Sequence, residues 1–403
     1  MTTSLPAVDV PVVDLDPYDE AVLADPRGFQ ETLRETGPLV WLSRYEVYAA
    51  GRYEEVRAGL ANHRDLVSGY GVGVTDRRKE KVFRTPSLLI EADPPDHTPR
   101  RALMDALLSS RALRHLKDEF ARIADGLVDE LLDRGEVDAV ADVAEAYPLR
   151  VFPEVIGLSQ EVRPHLLTYG DVVFNAGGPA NAVFARAVSA PGAEAALAAI
   201  ADQTRREHSA PGGIGAAIWE AVDRGELPED EAPLLVRSLL TAGVDTTVAA
   251  IAATLQCLAA APDQWALVRA DPRRARFAFE EAIRHESPVQ TFYRTAVRDV
   301  PFGDAVLPSD GRVYLSLGAA NHDPRRFPDP DRFDLERSMS GHVGFGMGVH
   351  QCVGQHFGRL EGEAVLGALA RRVERLELAG PPVRRLNNTL RAWGSIPLRL
   401  TAA

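Results

Sequence analysis

Residues 345–354 read Phe-Gly-Met-Gly-Val-His-Gln-Cys-Val-Gly, a glycine-rich loop that presents one cysteine, Cys352. Apolar residues at helical spacing follow from Gly354 to Leu376, so the cysteine lies at the predicted start of a helix. Free N–H groups at a helix N-terminus carry partial positive charge and lower the pKa of a nearby thiol. Gly348 and Gly354 have no side chain, which would let a flat macrocycle approach the loop closely. The loop therefore predicts a thiolate that is ready to bind a metal.

Three roles fit a lone cysteine in such a loop. A buried structural cysteine is the common one. Nucleophilic catalysis would need a base such as His350, two residues away from Cys352. The third role is the axial ligand of a haem iron, because the order Phe-x-x-Gly-x-His-x-Cys-x-Gly at a helix start is what a thiolate-ligated haem requires. We favour the haem ligand.

The composition of the 403 residues is globular, with 45% hydrophobic and 26% charged residues. The formal net charge of −13 disfavours nucleic acid or an anionic membrane surface as a partner, since both require a basic face. Cys257 and Cys352 are the only cysteines, so we expect a reducing compartment. Met1–Glu20 has no basic leader, and no run reaches the roughly 20 apolar residues of a membrane span. We therefore expect a cytoplasmic protein without a membrane anchor.

Helical spacing dominates the pattern of apolar residues. It predicts helices over four ranges, namely Arg101–Leu132, Leu234–Ala261, Arg276–His285 and Gly354–Leu376. The strand-like runs are short, namely Val40–Ala49, Val313–Leu317 and Ile396–Leu400. Residues 321–337 alternate Asp and Arg among three prolines and predict a long irregular segment. With no internal repeat or domain linker, the sequence predicts one mainly α, helix-rich domain over residues 1–403 with a small β region.

Residues 239–247, Leu-Leu-Thr-Ala-Gly-Val-Asp-Thr-Thr, place an acid and hydroxyls in the middle of an apolar helix. A buried polar group without a partner is costly, so these side chains require an explanation. Ala242 and Gly243 leave room for a diatomic ligand beside the helix, and Thr246 can bend it by donating to a carbonyl one turn back. The alternative is a core helix with a capped polar kink.

Arg237 and Ser238 lie two turns before Asp245, about 10 Å along the helix with nearly the same facing. One face of this helix could therefore line one pocket at both places. Arg237 interrupts an apolar run, so it either extends to solvent or pairs with an anion in the pocket.

The loop around Cys352 resembles the haem-binding signature of cytochromes P450, and other landmarks of that family follow in the right order along nearly all of the chain. Residues 281–284, Glu-Ala-Ile-Arg, are similar to the family's Glu-x-x-Arg helix, whose buried pair is locked to a residue of the irregular segment, here Arg332. The resemblance implies the cytochrome P450 fold. It also implies haem b, iron protoporphyrin IX, with Cys352 as the iron ligand.

The resemblance assigns further residues to the cofactor and to oxygen chemistry. Propionates need cationic partners, and the residues that it places around the haem are His97, Arg101, Arg294, Phe345, Gly348, His350, Cys352 and Gly354. Residues 242–247 resemble the family's oxygen-binding motif, in which Asp245 would relay protons and Thr246 would act on bound O2. This pair favours O2 and two electrons over a peroxide-driven reaction.

Four segments resemble a bacterial P450 subfamily that O-demethylates para-methoxybenzoates. In that subfamily the matching polar residues hold the substrate carboxylate and the matching phenylalanines enclose its ring, which here implies Arg84, Ser87, Phe174, Arg237, Ser238 and Phe292. This chain departs from the subfamily at Gly177, where a second phenylalanine is usual, so a wider pocket is expected.

The sequence therefore predicts a haem-thiolate monooxygenase that O-demethylates or hydroxylates a para-substituted benzoic acid such as 4-methoxybenzoate. The alternatives are a P450 acting on a larger aromatic acid or a natural-product scaffold, and a haem-binding sensor without turnover. The resemblance implies an iron-sulfur ferredoxin and its reductase as electron donors. We expect the ferredoxin to dock on the cysteine side, near Arg101, Arg325, Arg326 and Arg359.

Overall fold

The computed structural model describes residues 9–338 and 341–403. The prediction about the leader concerns Met1–Glu20, and residues 1–8 of that range lie outside the described residues. Helix is the main element, which confirms the mainly α class. The helices are α1 Glu20–Ala24, α2 Arg27–Thr36, α3 Tyr53–Ala61, α4 His97–Leu107, α5 Lys117–Leu132, α6 Ala146–Ile156, α7 Leu166–Asn175, α8 Ala182–Val188, α9 Ala193–Gln203, α10 Ile214–Asp223, α11 Ala232–Ala242, α12 Asp245–Ala260, α13 Pro262–Ala270, α14 Ala275–Glu286, α15 Leu317–Asn321 and α16 Gln355–Arg372.

The β region is small and made of short strands. They are β1 Val12–Val13, β2 Val40–Leu42, β3 Val47–Ala50, β4 Leu66–Val67, β5 Glu136–Asp138, β6 Thr291–Ala296, β7 Val300–Phe302, β8 Ala305–Leu307, β9 Arg312–Ser316, β10 Val373–Leu378, β11 Val383–Arg385, β12 Ala392–Ser395 and β13 Pro397–Ala402. One sheet has six strands in the order β1-β2-β3-β9-β6-β4, and another has three in the order β10-β13-β5. Two hairpins, β7-β8 and β11-β12, complete the set.

The main hydrophobic core lies among the helices. Helix α12 is its centre, because buried side chains occupy nearly every position from Thr247 to Ala259. A helix that is apolar on all sides must be surrounded by protein, and α12 packs against α14 and α16 as well as against residues 139–145. A second core lies between the six-stranded sheet and α3. The two cores together fix the positions of α12 and of the loop that precedes α16.

Two predicted helices are each divided in the structure. The range Arg101–Leu132 becomes α4 and α5, because a short 3-10 helix at Ala112–Leu116 lies between them. The range Leu234–Ala261 becomes α11 and α12, with residues 243–244 outside both. The Thr246 hydroxyl donates to the Ala242 carbonyl at 2.7 Å, as predicted, and this bond spans the break between the two helices.

Two other ranges change from one element to two. The predicted strand Val40–Ala49 is a hairpin of β2 and β3, whose turn includes Glu46 at φ +52°. The predicted helix Gly354–Leu376 ends at Arg372, because the residues that follow pair with β13 as strand β10. Residues 322–347 contain no named helix or strand among those described, as predicted for the irregular segment.

By length and composition alone, the stretch Glu229–Ala260 is apolar enough to cross a membrane, although no such stretch was predicted from the sequence. Its most apolar window is 61% buried inside the fold, and residues 243–244 interrupt it. Such burial is typical of a core helix, and α12 provides the centre of the core described above.

Candidate active site

A cavity of about 340 Å³ lies between α11–α12 and the loop before α16. Its walls are mostly apolar, and this is typical of ligand pockets. Nearly all predicted site residues meet there, namely Arg84, Ser87, His97, Arg101, Phe174, Arg237, Ser238, Thr246, Phe292, Arg294, Phe345, His350, Cys352 and Gly354. The structure therefore joins segments that are far apart in the sequence into one site.

The cysteine loop turns back on itself before α16. The Cys352 amide donates to the Phe345 carbonyl at 2.8 Å, and Gly346 and Gly348 adopt φ values of +69° and +68° that favour glycine. That Gly348 makes room for a macrocycle stays a prediction, and the structure shows a further reason for a glycine at this position. A Cβ at Gly348 would lie 3.0 Å from the Cα of Ala61, so this glycine allows the loop to pack on α3.

The Cys352 thiol faces the cavity, which accounts for its exposed area. Burial raises the pKa of this thiol above its usual value, although the Gly354 backbone N–H and the cations Arg101 and Arg359 oppose the rise. The sequence reading expected a lowered pKa from the helix N-terminus alone. The structure differs because the apolar walls of the cavity outweigh that effect. A bound metal deprotonates such a thiol.

Four cationic or imidazole side chains line the cavity near the cysteine loop. The rings of His97 and His350 lie 4.7 Å apart, and His97 Nε2 and both ring nitrogens of His350 have no hydrogen-bond partner in the described chain. Burial lowers the pKa of His97 to about 4, and nearby His350 and Arg101 add to the effect. Arg294 is buried and donates to the Tyr293 carbonyl at 2.8 Å. This donor set suits a bound anion.

Arg101 has partners within the chain. Its Nη1 donates to the carbonyls of Val349 and Gln351 at 2.9 and 2.7 Å, and its Nε donates to Asp105. It therefore fastens α4 to the cysteine loop while its side chain lines the cavity.

The predicted acid–alcohol pair is divided between two sides of α12. Thr246 lines the cavity, but the Asp245 carboxyl points towards α7, where a Cβ at Gly170 would overlap Asp245 Oδ2. Neither Asp245 oxygen has a hydrogen-bond partner within the described residues, and the nearest cation is Arg385, whose Nη2 lies 3.7 Å from Oδ1. Burial raises the pKa of Asp245 from 3.8 to about 7, and Arg385 opposes the rise.

The four predicted carboxylate-binding residues form one polar cluster. The hydroxyls of Ser87 and Ser238 are 3.1 Å apart, and Arg237 Nη2 donates to the Thr85 carbonyl at 2.7 Å. Burial lowers the pKa of Arg237, and the neighbouring charge of Arg84 adds to the effect. Arg237 does not extend freely to solvent, which was one alternative from the sequence, but donates to the backbone carbonyls of Thr85 and Pro86, between Arg84 and Ser87.

The sequence reading missed Glu91, which belongs to this cluster. Its Oε2 lies 3.0 Å from Arg84 Nη1 and accepts a hydrogen bond of 2.8 Å from the Ser87 amide. A lone glutamate four residues after Ser87 gives no signal in the sequence that would reveal this contact.

The aromatic residues and the departing glycine also line the cavity. Phe174, Phe292 and Gly177 all contribute to the wall. However, a Cβ at Gly177 would lie 2.7 Å from the Thr389 hydroxyl oxygen, which itself donates to the Phe174 carbonyl. The space expected from the missing phenylalanine is therefore partly filled by Thr389.

Residues 71–75 form another part of the wall that the sequence did not reveal. The buried Arg312 donates through Nη2 to the carbonyls of Gly71, Gly73 and Thr75. The Val74 amide donates to the Gly177 carbonyl at 2.9 Å. These bonds hold the loop over the cavity and against the end of α7.

The Glu281–Arg284 pair is buried, as predicted, but its third member is different. Arg284 Nε and Nη2 donate to Glu281 at 2.7 and 2.8 Å, and Arg337 Nε donates to Glu281 Oε1 at 3.2 Å. The prediction of Arg332 is wrong, since that residue contributes its backbone carbonyl to Arg284. Spacing alone could not distinguish two arginines five residues apart in an irregular segment.

The other cysteine belongs to a separate cluster. Cys257 lies with His285 and Glu286, whose ligand atoms are close enough to surround a metal ion. Glu286 is already paired with Arg384 at 2.6 Å and Arg391 at 3.2 Å. Two guanidinium groups satisfy the carboxylate and disfavour a cation, so we interpret this cluster as an internal ion-pair network.

Comparison with known proteins agrees with this geometry. A family model described as Cytochrome P450 matches residues 275–378. Cytochrome P450 107B1 of Saccharopolyspora erythraea is 32% identical over 96% of this chain and 98% of that protein. The chain belongs to the cytochrome P450 family and is a P450 monooxygenase.

A more similar relative is Cytochrome p450 CYP199A2 of Rhodopseudomonas palustris. It is 53% identical over 403 residues, which is 100% of this chain and 97% of that protein. Among solved structures, CalO2 has a TM-score of 0.83 at 28% identity, over 96% of this chain and 99% of that one. These similarities confirm the fold class predicted from the sequence.

Proposed function

We propose that this monooxygenase oxidises the para substituent of a benzoic acid, with 4-methoxybenzoate as the representative substrate. The observation that carries the proposal is the polar cluster of Arg84, Ser87, Arg237 and Ser238 on the wall of the cavity that Cys352 also lines. Arg84 is already paired with Glu91, but Arg237 has no carboxylate partner within the described residues, so this guanidinium in a mostly apolar cavity favours an anion. A carboxylate matches its planar donor geometry. The resemblance to para-methoxybenzoate O-demethylases supports the same substrate class.

We propose haem b as the cofactor and Cys352 as its axial ligand. The family implies a haem held by a cysteine thiolate, and the residues present fit it. His97, His350 and Arg294 provide buried nitrogen atoms suited to propionates, and Phe345 and Gly354 line the same cavity. When bound, haem supplies the activation of O2 with two electrons.

The residues of the chain orient the substrate and control protons. The polar cluster would hold the carboxylate of a para-substituted benzoic acid, so the para group would lie at the end of the ring that is farthest from the cluster. Phe174 and Phe292 offer apolar area for the ring. Thr246 lines the cavity, and Asp245, whose carboxyl points to α7 on the other side of α12, can hold a proton near neutral pH. Hydroxylation of a methoxy carbon gives a hemiacetal that collapses to a phenol and formaldehyde.

We propose an iron-sulfur ferredoxin with its reductase as the electron donor and the cytoplasm as the location. Arginines expected at the docking face already have acidic partners in the chain: Arg101 pairs with Asp105, Arg325 with Glu35 and Arg359 with Glu280. Docking at this face would therefore exchange intramolecular ion pairs for intermolecular ones, which limits the net gain.

The experiment is a spectroscopic titration of the ferric holoprotein. Adding 4-methoxybenzoate is expected to displace iron-bound water and shift the spin state, whereas the neutral methyl ester of the same acid is expected to bind much more weakly. Arg237→Gln is expected to weaken binding of the acid about 10- to 100-fold, the value of a lost charge-assisted contact. No spectral response to any benzoate would overturn the substrate assignment.

A matched control removes one arginine elsewhere. Arg399 pairs with Glu136 on the exposed three-stranded sheet, so Arg399→Gln changes the charge equally and is expected to leave the titration unchanged. An equal loss of affinity in both variants would mean that net charge, and not the cluster, binds the acid.

A larger aromatic acid is the second candidate. Gly177 lines the cavity, and Thr389 is the side chain that fills the direction of its absent Cβ. Thr389→Ala is expected to enlarge this part of the wall and to improve binding of bulkier para-substituted acids relative to 4-methoxybenzoate. Product analysis with supplied ferredoxin and reductase also separates both candidates from a haem-binding sensor without turnover.

A further inference from the structure

Glu91 contacts the polar cluster from outside the cavity, whose wall includes Arg84 and Ser87. One oxygen of its carboxylate, Oε2, lies 3.0 Å from Arg84 Nη1 and accepts a hydrogen bond of 2.8 Å from the Ser87 amide. The side chain of Glu91 is 12% exposed and that of Arg84 is 26% exposed. A charge pair that is largely removed from water interacts more strongly than one on the surface. Glu91 therefore holds two residues of the cluster at once.

The serine hydroxyls of the cluster are already used within the fold. Ser238 Oγ donates to the Leu234 carbonyl at 2.8 Å, so Ser87 is the donor in its 3.1 Å contact with Ser238. The Ser87 oxygen also accepts from the Leu89 amide at 3.2 Å. Each hydroxyl has one proton, so an anion must exchange one of these bonds before a serine can donate to it. The attraction of the cluster for a carboxylate therefore depends mainly on its charges.

The charges around the cluster are two guanidinium groups and one carboxylate. Burial lowers the pKa of Arg237 and the charge of Arg84 adds to the effect, whereas Tyr169 and Glu91 oppose it. The two arginines thus repel each other, and Glu91 offsets the repulsion. One positive charge is neutralised by Glu91 through its contact with Arg84, and the other, on Arg237, remains for one bound carboxylate.

We propose that Glu91 is a positioning residue that acts as the internal counter-ion of Arg84, so that Arg237 supplies the charge that binds the substrate carboxylate. The inference deepens the proposed function and rests on it, because it concerns the same acid-binding cluster. The demethylated product keeps the carboxylate of the substrate, so the cluster attracts both acids equally. Binding energy shared by substrate and product does not speed the chemical step. Glu91 thus limits the affinity for both acids and allows the product to leave.

The test is the spin-state titration of the ferric holoprotein, compared with the same titration of E91Q, R84Q and the double variant R84Q/E91Q. E91Q keeps an amide oxygen as acceptor for the Ser87 N–H and removes the charge. It is expected to bind 4-methoxybenzoate about tenfold more tightly, because the charge of Arg84 is then added to that of Arg237. R84Q is expected to bind the acid about 10- to 100-fold more weakly, because the unpaired Glu91 repels it.

The double variant tests the counter-ion role directly. R84Q/E91Q loses one charge of each sign and keeps Arg237. Its affinity for 4-methoxybenzoate is expected to lie within about threefold of the parent and well above that of R84Q, so the two substitutions are strongly non-additive. A purely structural role of Glu91 predicts the opposite, since a second loss of structure would weaken binding further.

Two comparisons separate charge from structure. The methyl ester of the same acid has no carboxylate, so its affinity is expected to be equal in the parent and in E91Q. E136Q is the matched control, because it removes one carboxylate from the exposed ion pair with Arg399 and is expected to leave every affinity unchanged. The product, 4-hydroxybenzoate, is expected to bind E91Q about tenfold more tightly, in parallel with the substrate.

Weaker or unchanged binding of the acid to E91Q would overturn the inference, and so would a double variant as weak as R84Q. An equal gain in affinity for the ester would also overturn it, because pocket shape would then explain the change. Failure of the proposed function is distinguishable, since the parent itself would give no spectral response to any benzoate. If E91Q alone fails to fold, R84Q and R84Q/E91Q still give the sign of the effect of Glu91.

Discussion

The side chain of Arg294 has few hydrogen-bond acceptors in the fold, which indicates that it binds an anion. It is buried, and within the described residues its hydrogen bond is to the adjacent Tyr293 carbonyl. Burial lowers its pKa from 12.5 to about 10, although Asp93 opposes the change. A guanidinium with five donors and so few acceptors is costly unless an anion joins it.

We therefore predict opposite effects of Arg294→Gln on two forms of the protein. The haem-free chain should become more stable, because a poorly satisfied buried cation is removed. The holoprotein should lose haem faster, by about tenfold or more, because a charge-assisted bond to a propionate is lost. Denaturant unfolding measures the first effect and haem transfer to an acceptor protein the second. A loss of stability in the haem-free chain would contradict the role given to Arg294.

Glu361 on α16 is a second buried ionisable residue. It is fully buried, its oxygens have no hydrogen-bond partner in the described part of the chain, and burial raises its pKa well above the usual value, with Thr247 opposing. Burial therefore favours the protonated form of this side chain, and the stability that its proton contributes is lost as the pH rises towards the folded pKa.

Glu361→Gln replaces the carboxyl group with a neutral amide of the same shape. We predict a free energy of unfolding within about 1 kcal/mol of the parent at neutral pH and a smaller loss of stability above it. Denaturant unfolding as a function of pH measures both. A large loss at neutral pH in this variant would mean that Glu361 is ionised in the fold.

At the scale of elements, the Glu281 network joins α14 to the irregular segment. Arg284 and Arg337 both bond to a carboxylate that is 0% exposed. Breaking a buried ion pair by removing one partner typically costs about 3–5 kcal/mol. The network therefore holds the irregular segment, which has no regular backbone bonds of its own, against α14.

We predict that Arg337→Gln lowers the free energy of unfolding by about 2–4 kcal/mol. This is slightly less than the usual cost of breaking a buried ion pair, because Arg284 still pairs with Glu281. Arg332→Gln is the matched control: its exposed side chain is expected to change stability by less than about 0.5 kcal/mol. Thermal and denaturant unfolding of both variants measure the difference. Equal losses of stability in the two variants would mean that Arg332 also supports Glu281, as predicted from the sequence.

The elements also show which features the sequence could predict. Apolar spacing located α14 and α16 to within a few residues, because buried residues recur at helical spacing along both. The break between α11 and α12 is different, since it depends on Phe152 of α6 packing where a Cβ on Gly243 would lie. The direction of Asp245 likewise depends on Gly170, 75 residues earlier in the chain. Contacts of that kind have no local signature.

At the scale of the whole molecule, the cavity and the helical core differ in how much they depend on the cofactor. The core around α12, α14 and α16 is packed by side chains alone. The walls that contain His97 and His350 present ring nitrogens that have no hydrogen-bond partner among residues 9–338 and 341–403. The cofactor site was predictable from motif order, but the contact partners of its residues were not, because they come from distant segments.

We predict that removal of haem lowers the stability of the whole chain by at least about 3 kcal/mol, the contribution of a ligand present at roughly 100 times its Kd. Backbone amide exchange should accelerate mainly in α4 and in residues 344–354, while α5 and α12 stay protected. Exchange measured by mass spectrometry on both forms tests this distribution. Uniform acceleration along the chain would mean that haem supports the core itself.

The loop of residues 71–75 has a consequence for how the pocket can change during evolution. Arg312 donates to three backbone carbonyls of the loop, and the Val74 backbone N–H donates to the Gly177 carbonyl, so no side chain of the loop takes part in these bonds. Side chains such as Val72, which lines the cavity, can therefore be exchanged without loss of the anchoring bonds. The backbone of the loop closes the site, whereas its side chains contact the substrate. A library randomised at Val72 should therefore contain folded variants with altered substrate selectivity.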